Sequence, residues 1–237
     1  PLWPSSAGDQ AWRLRAAFAP LLVSDADEAL DAPQARAFLA KEWQISDRAG
    51  LVRLLLWLAG QGDRYAWDLD ANRLLEASRG QREAWLAGQK GDAAASGKVL
   101  LGFLERGETL EWAAWDWLRL VDLAYSGLAL GWLDQAEAQA FAHHALDLIT
   151  RRYSDWVAMV TAYQRGRSLF EGRDSVGDLN RDWGLLLQSS ASPWREPLAT
   201  LQDPDCLDAS RRAMRAWRAD ARHWVLALAS IREPELL

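Results

Sequence analysis

The sequence has 237 residues, a mass of 26.6 kDa and 33 acidic against 27 basic side chains, which gives a formal charge of −6. This length supports a sizeable hydrophobic core, and no segment reaches the run of roughly 18 apolar residues that a membrane-spanning helix needs. The acidic balance argues against general binding to nucleic-acid phosphates. A single cysteine, Cys206, and three histidines exclude an internal disulfide and leave little material for a metal site.

The chain is dominated by Ala, Leu, Arg and Glu, which are good helix formers, and it lacks the alternating runs typical of strands. We therefore expect one all-α domain over residues 1–237. The first predicted helix covers residues 9–18 and ends before Pro20. A second runs from Pro33 to Trp43.

Ser46 is the predicted N-cap of a third helix, which carries regularly spaced leucines and stops at Gly60. Further helices are expected in three short stretches and in one that is rich in tryptophan. These predicted helices cover residues 63–78, 81–87, 97–105 and 108–126.

Asp134 and Glu137 resemble a capping box at the start of the next helix. Apolar residues then recur at steps of three or four from Ala138 to Tyr163. This stripe predicts one long central helix over residues 135–165, packed against the tryptophan-rich helix before it.

The C-terminal part contains several prolines and serines between residues 173 and 204, which indicates a loop with a short helix around Leu185. A last helix is predicted over residues 207–231, with Met214 and Trp217 on its buried side.

Two polar groups on these helices are interpreted as solvated faces. On the long helix, His143 and Asp147 stand four residues apart beside His144, a spacing that is too unspecific for a metal or acid/base site. On the last helix, arginines recur at steps of three and four, and binding to an acidic partner is the alternative interpretation. These arginines are Arg211, Arg215, Arg218 and Arg222.

Asp116 and Arg119 are three residues apart in the tryptophan-rich helix and share a face with apolar side chains. We expect a partly buried carboxylate paired with a guanidinium here, with Arg167 as a candidate second partner of Asp116. A structural polar network is favoured over a catalytic role, because no second acid/base group accompanies it in the sequence.

Several spaced motifs stand in a recognisable order along the chain. They are Trp115-Asp116-x-x-Arg119, Gly127-x-x-x-Gly131, Glu137-Ala138, Tyr153-Ser154-Asp155-Trp156 and Tyr163-x-x-Gly166-Arg167. This pattern resembles the bacterial YbeU/YbeR-type family of unknown function over residues 38–172. One departure is Gln61-Gly62-Asp63-Arg64, where the family often has a histidine after the glycine.

Members that the chain resembles occur beside secreted antibacterial toxins, including type VI secretion effectors with DNase domains. The resemblance therefore implies a cytoplasmic immunity protein that binds a cognate toxin, with a basic nuclease as the expected partner. On this interpretation it has no catalytic residues, uses no cofactor or metal, and binds neither a membrane nor nucleic acid.

Two other functions remain open. One is a hydrolase or nucleotide-handling enzyme that uses Asp116, Arg119 and Arg167. The other is a regulator that binds nucleic acid through the last helix.

An acidic group near the N-terminus is the predicted contact for a basic toxin, with two tryptophans as aromatic anchors. These residues are Asp25, Asp27, Glu28, Asp31, Trp3 and Trp12. An ordinary solvated loop is the alternative interpretation of the same charges.

Overall fold

The computed structural model describes residues 32–178, 180–188, 190 and 192–219. Within these residues the chain is helical with no strand, which confirms the all-α prediction. The helices are α1 (Ala32–Trp43), α2 (Arg48–Gly60), α3 (Arg64–Leu75), α4 (Arg79–Gly88), α5 (Gly91–Glu105), α6 (Ala113–Ala129), α7 (Gln135–Arg152), α8 (Trp156–Glu171), α9 (Asn180–Gln188) and α10 (Pro204–Ala219). Two short 3-10 helices, Pro193–Arg195 and Leu198–Leu201, precede α10.

The centre of the fold is α6, in which every residue from Ala113 to Gly127 is buried. Helices α1, α2, α7 and α8 pack around it. The predicted packing of α6 against the helix that follows Asp134 is therefore confirmed. At the far end of α6, Gly127 allows close approach, because a Cβ there would lie 2.4 Å from the Leu51 side chain of α2.

The predicted long central helix over residues 135–165 is wrong, because the chain breaks between α7 and α8. Tyr153 is extended, and the Asp155 carboxylate accepts a hydrogen bond of 2.9 Å from the Ala158 amide, which starts α8 anew. The stripe from Ala138 to Tyr163 is buried throughout as predicted. The periodicity of this stripe predicts burial correctly but does not reveal the break, because apolar residues continue at steps of three or four in α8 after the turn.

Several predicted boundaries shift for local reasons. Asp47, and not Ser46, caps α2 by accepting a 2.6 Å hydrogen bond from the Gly50 amide. The last helix begins earlier than predicted, at Pro204, where the fixed φ of proline suits a first helical position. The predicted helix over residues 9–18 and the end of the last helix, residues 220–231, lie outside the described residues.

A second, smaller core lies beside the first. It joins α3 and α5 to the N-terminal end of α6 and the C-terminal end of α8, with Phe103, Trp112 and Leu169 at its centre. The Trp112 indole donates a 2.9 Å hydrogen bond to Asp68. No helix in the described part of the chain combines the length and apolarity needed to cross a bilayer.

Candidate functional site

Asp116 is the centre of a buried ion cluster at the start of α6. Its side chain is fully buried and accepts hydrogen bonds from four groups. The backbone amides of Asp63 and Arg64, at the N-terminal end of α3, donate at 3.2 and 3.1 Å. The guanidinium groups of Arg64, at 2.9 Å, and of Arg119 supply the other two contacts. The predicted ion pair between Asp116 and Arg119 is therefore present in the structure.

The two arginines carry this cluster into the surrounding helices. Arg64 also donates to the carbonyls of Leu58 and Ala59 at 2.7 and 3.0 Å, and so satisfies the C-terminal end of α2. Arg119 donates to the Asp63 carboxylate at 2.7 Å. The ion cluster thus fixes α2 and α3 against α6.

Burial raises the pKa of the Asp116 carboxyl, and the two neighbouring guanidinium groups oppose this shift. All four contacts are donors, so the geometry accommodates the ionised carboxylate and leaves no position for an added proton. Gly62 makes room for it, because a Cβ there would lie 1.9 Å from Asp116 Oδ2, and its φ of +61° favours glycine.

The prediction that Arg167 is the second partner of Asp116 is wrong. Arg167 pairs along its own helix with Glu171 at 2.7 Å. The preceding residue, Gly166, lies against Trp115 of α6, so the next side chain on α8 is turned about 100° away from α6. The sequence analysis did not predict Arg64 as a partner of Asp116 or Asp63 as a partner of Arg119. The signal that could have pointed to them is the departure from the family pattern at Gln61-Gly62-Asp63-Arg64.

The N-terminal end of α6 depends on a side chain from the break between α7 and α8. Trp112, the N-cap residue, makes no capping hydrogen bond with its side chain. Instead, the Tyr153 hydroxyl accepts a 3.0 Å hydrogen bond from the Ala114 amide and donates at 2.9 Å to Glu111. Burial raises the pKa of this hydroxyl, so Tyr153 is neutral across the ordinary pH range.

The interpretation of His143, His144 and Asp147 as a solvated face is wrong, because α10 covers this side of α7. Arg211 of α10 donates to Asp147 at 3.1 Å, and Arg218 contacts Nε2 of His144 at 3.2 Å. Arg211 and Arg218 therefore face α7, so the predicted row of arginines is not one solvated face. Arg215 is exposed, and Arg222 lies outside the described residues.

Burial disfavours the charged form of both histidines. Since arginine can only donate, Nε2 of His144 accepts and its proton sits on Nδ1. Burial, helped by Arg218, lowers the pKa of His144 from 6.5 to about 4, against the opposing charge of Asp147. Burial also lowers the pKa of His143.

The protein should therefore lose stability as the pH falls from about 6.5 to about 4. The unfolded chain binds a proton on His144 in this window and the folded chain does not, so protonation favours unfolding by about 3 kcal/mol once complete. Urea denaturation at pH 7 and pH 4.5 measures this loss. His144→Gln should show a smaller loss than the wild type, and an equal loss in both would contradict the assignment.

An open cleft of about 450 Å³ lies beside the ion cluster, between the end of α1, the start of α3, α6 and the end of α8. We call it the aromatic cleft. Arg119 lies inside it with its guanidinium 5.2 Å from the Trp43 ring, 4.7 Å from Trp115 and 5.5 Å from Phe170. The cleft residues in the described part of the chain are Phe38, Glu42, Trp43, Asp63, Trp115, Arg119, Asp122, Leu123 and Phe170.

The six residues predicted to contact a toxin lie outside the described residues. They are Asp25, Asp27, Glu28, Asp31, Trp3 and Trp12. Within the described part, no three His, Cys, Asp or Glu side chains are grouped as they would be around a metal ion. Burial and nearby carboxylates raise the pKa of Cys206, which disfavours its thiolate.

The fold and the ion cluster define an all-helical protein whose central helix carries a buried carboxylate between two arginines. The pattern of DUF1266, a family of proteins of unknown function, matches residues 38–197. The chain therefore belongs to this family. No curated protein matches it, and no solved structure does.

Proposed function

We propose that this protein is a non-catalytic binding protein that neutralises a cognate secreted antibacterial toxin in the cytoplasm of the cell that makes both. The resemblance to proteins encoded beside type VI secretion toxins supports the choice of partner. The excess of acidic side chains, 33 against 27, suits a basic partner such as a nuclease, which must itself bind DNA phosphates.

The observation that carries the proposal is that both oxygens of Asp116 are already occupied by hydrogen-bond donors. A general acid or base must exchange a proton with a substrate that reaches it. Asp116 is fully buried, and four donors occupy its two oxygens. Its geometry favours a structural role and counts against the enzyme alternative, which depends on this carboxylate.

Titration of the toxin's activity with this protein tests the proposal. The proposal expects the toxin to be encoded beside this protein, so the product of the neighbouring gene is the one tested, and the two proteins are first co-expressed to measure rescue of growth. A binding protein should abolish toxin activity at about one equivalent and co-purify with the toxin. An unrelated toxin with the same activity is the control, and it should be unaffected.

Two results would overturn the proposal. A folded, active toxin that is neither bound nor neutralised would remove the immunity function. Complete neutralisation far below one equivalent would instead indicate turnover, and the enzyme alternative would then replace the binding protein.

A further inference from the structure

Helices α7 and α10 form a small pocket on the side of α7 that carries His143. Its volume is about 260 Å³, and it shares no lining residue with the aromatic cleft. Ala140 and Ala213 line it from the two helices, and Trp217 forms one wall. The Trp217 ring stacks on Phe141 with the ring centroids 4.3 Å apart and the planes 9° apart. This wall is therefore an ordered aromatic surface.

His143 is the residue of this pocket whose hydrogen bonding is incomplete. It is 3% exposed, and its Nε2 atom is buried without a hydrogen-bond partner among the described residues. No other side chain that lines the pocket has such an atom in the described part of the chain. Buried polar atoms without a partner are rare in folded proteins, so Nε2 points to a bound group.

Three other polar side chains at the pocket are already engaged. The Ser210 hydroxyl donates a 2.6 Å hydrogen bond to the Ala140 carbonyl. Asp134 and Glu137 form the capping box at the start of α7. An occupant therefore needs its polar group at His143 and an apolar surface against the alanines and Trp217.

The surroundings of His143 favour a neutral occupant with a hydroxyl group. Burial lowers the pKa of His143 against the opposing charge of Asp203, which favours the uncharged imidazole at pH 7. An anion would find no cationic partner there, and any ion would lose hydration against the apolar walls. Each nitrogen of a neutral imidazole either donates or accepts, and a hydroxyl can do both. A hydroxyl therefore satisfies Nε2 in either tautomer.

The volume of the pocket fits a single ring. Drug-sized ligands occupy pockets of about 300 to 1,000 Å³, whereas a cavity of about 150 Å³ holds benzene. At about 260 Å³ the pocket lies between these limits and accommodates one ring with small substituents. The Trp217 wall favours an aromatic ring, because aromatic pairs gain energy beyond the area that they bury.

The rim of the pocket favours a free molecule over a side chain of a partner protein. None of the large apolar side chains that are exposed in the described part of the chain lines this pocket. A protein that inserted one ring here would find no apolar surface around it, whereas the anchors of protein interfaces lie within such a surface.

We propose that this pocket binds a small neutral phenol, which is a single aromatic ring that carries a hydroxyl. The hydroxyl hydrogen-bonds to Nε2 of His143, and the ring lies against Trp217 and the alanine methyl groups of α7 and α10. The phenol site is independent of the proposed function, because it shares no residue with the ion cluster and needs no toxin.

Titration of the full chain with p-cresol, followed by NMR, tests the proposal. Saturable binding with a Kd of about 1 mM or tighter is expected for a ligand of this size. Ala213→Leu should weaken binding by about tenfold or more, because the larger side chain occupies the volume of the ring. Ala216→Leu is the matched control, since Ala216 is exposed on the same helix and lies outside the pocket. It should bind p-cresol as the wild type does.

His143→Phe tests the hydrogen bond separately, since phenylalanine keeps a planar ring and has no nitrogen. Toluene, which lacks the hydroxyl, is the reference ligand. The ratio of the toluene Kd to the p-cresol Kd should fall by about threefold to tenfold in His143→Phe, the usual effect of losing one neutral hydrogen bond. Circular dichroism should show the variants folded, and the ratio in His143→Phe decides if Ala213→Leu does not fold.

Four results would overturn the proposal. They are no saturable binding of p-cresol, unchanged binding in folded Ala213→Leu, an unchanged ratio in His143→Phe, and tighter binding of p-toluate, the carboxylate of the same ring. Failure of the proposed function is distinguishable from these results. A protein that binds p-cresol in the pocket but protects against no toxin retains the phenol site and loses only the proposed partner.

Discussion

Replacement of Asp116 by asparagine should lower the free energy of unfolding by about 3 to 5 kcal/mol, the usual cost of breaking a buried ion pair by removing one partner. Two guanidinium groups, those of Arg64 and Arg119, would lose the charge that they share. Each oxygen of Asp116 accepts two of the four hydrogen bonds, so the NH2 group of asparagine would face two donors with donors of its own.

Urea denaturation monitored by tryptophan fluorescence measures the change. Glu171→Gln is the matched control, because it removes a partly exposed pair with Arg167 in place of a buried one. Its expected cost is below about 1 kcal/mol. An activity that disappears in Asp116→Asn while the melting temperature holds would contradict the structural role and support a catalytic one.

Replacement of Gly166 by alanine should cost about 3 kcal/mol, near the upper end of the usual range for overpacking a core. A Cβ at this position would lie 2.3 Å from Trp115 Cβ and 3.0 Å from the Trp112 carbonyl oxygen. Neither atom is the free end of a flexible side chain. Helices α6 and α8 would therefore have to move apart at Trp115, the residue that precedes Asp116 of the ion cluster.

Gly80→Ala is the control for this substitution. Gly80 lies in the first turn of α4, and a Cβ there meets no atom within 4 Å among the described residues. Alanine should leave stability unchanged or raise it by about 0.5 to 1 kcal/mol, since it restricts the unfolded chain. Equal losses in the two variants would indicate that the close approach of α8 to α6 carries no energy.

The residues that carry the family-like pattern have structural explanations in the fold. Asp116 and Arg119 form the ion cluster, Gly127 and Gly166 permit close helix contacts, and Tyr153 caps α6. These positions of the pattern therefore coincide with contacts that hold the helices together.

Periodicity predicted the buried faces well and the partners of polar groups poorly. The stripe from Ala138 to Tyr163 is buried as its spacing predicts, whereas His143 and Asp147, which the spacing places in solvent, are buried as well. The sequence of one helix shows which of its sides is apolar, but it does not show that α10 packs against the other side. Arg211 and Arg218 of α10 contact Asp147 and His144 there, so these polar side chains are buried with partners.

The same limit explains why the sequence alone did not predict the site. Asp63 and Arg64 stand about fifty residues before Asp116, with α4 and α5 between them. Nothing in local spacing selects Arg64 over Arg167, which has an equally suitable charge. The aromatic cleft is still less visible, because its walls come from four separate helices.

The central position of α6 has a consequence for synthesis on the ribosome. Helix α2, which ends at Gly60, carries Leu51, Leu55 and Leu58, and these are buried only in the completed fold. The start of α6 is translated about fifty residues later, a delay of roughly 3 to 10 s at ordinary elongation rates. During that interval the nascent chain exposes a hydrophobic, aggregation-prone helix face. A chaperone that binds leucine-rich helices would therefore raise the yield of native protein.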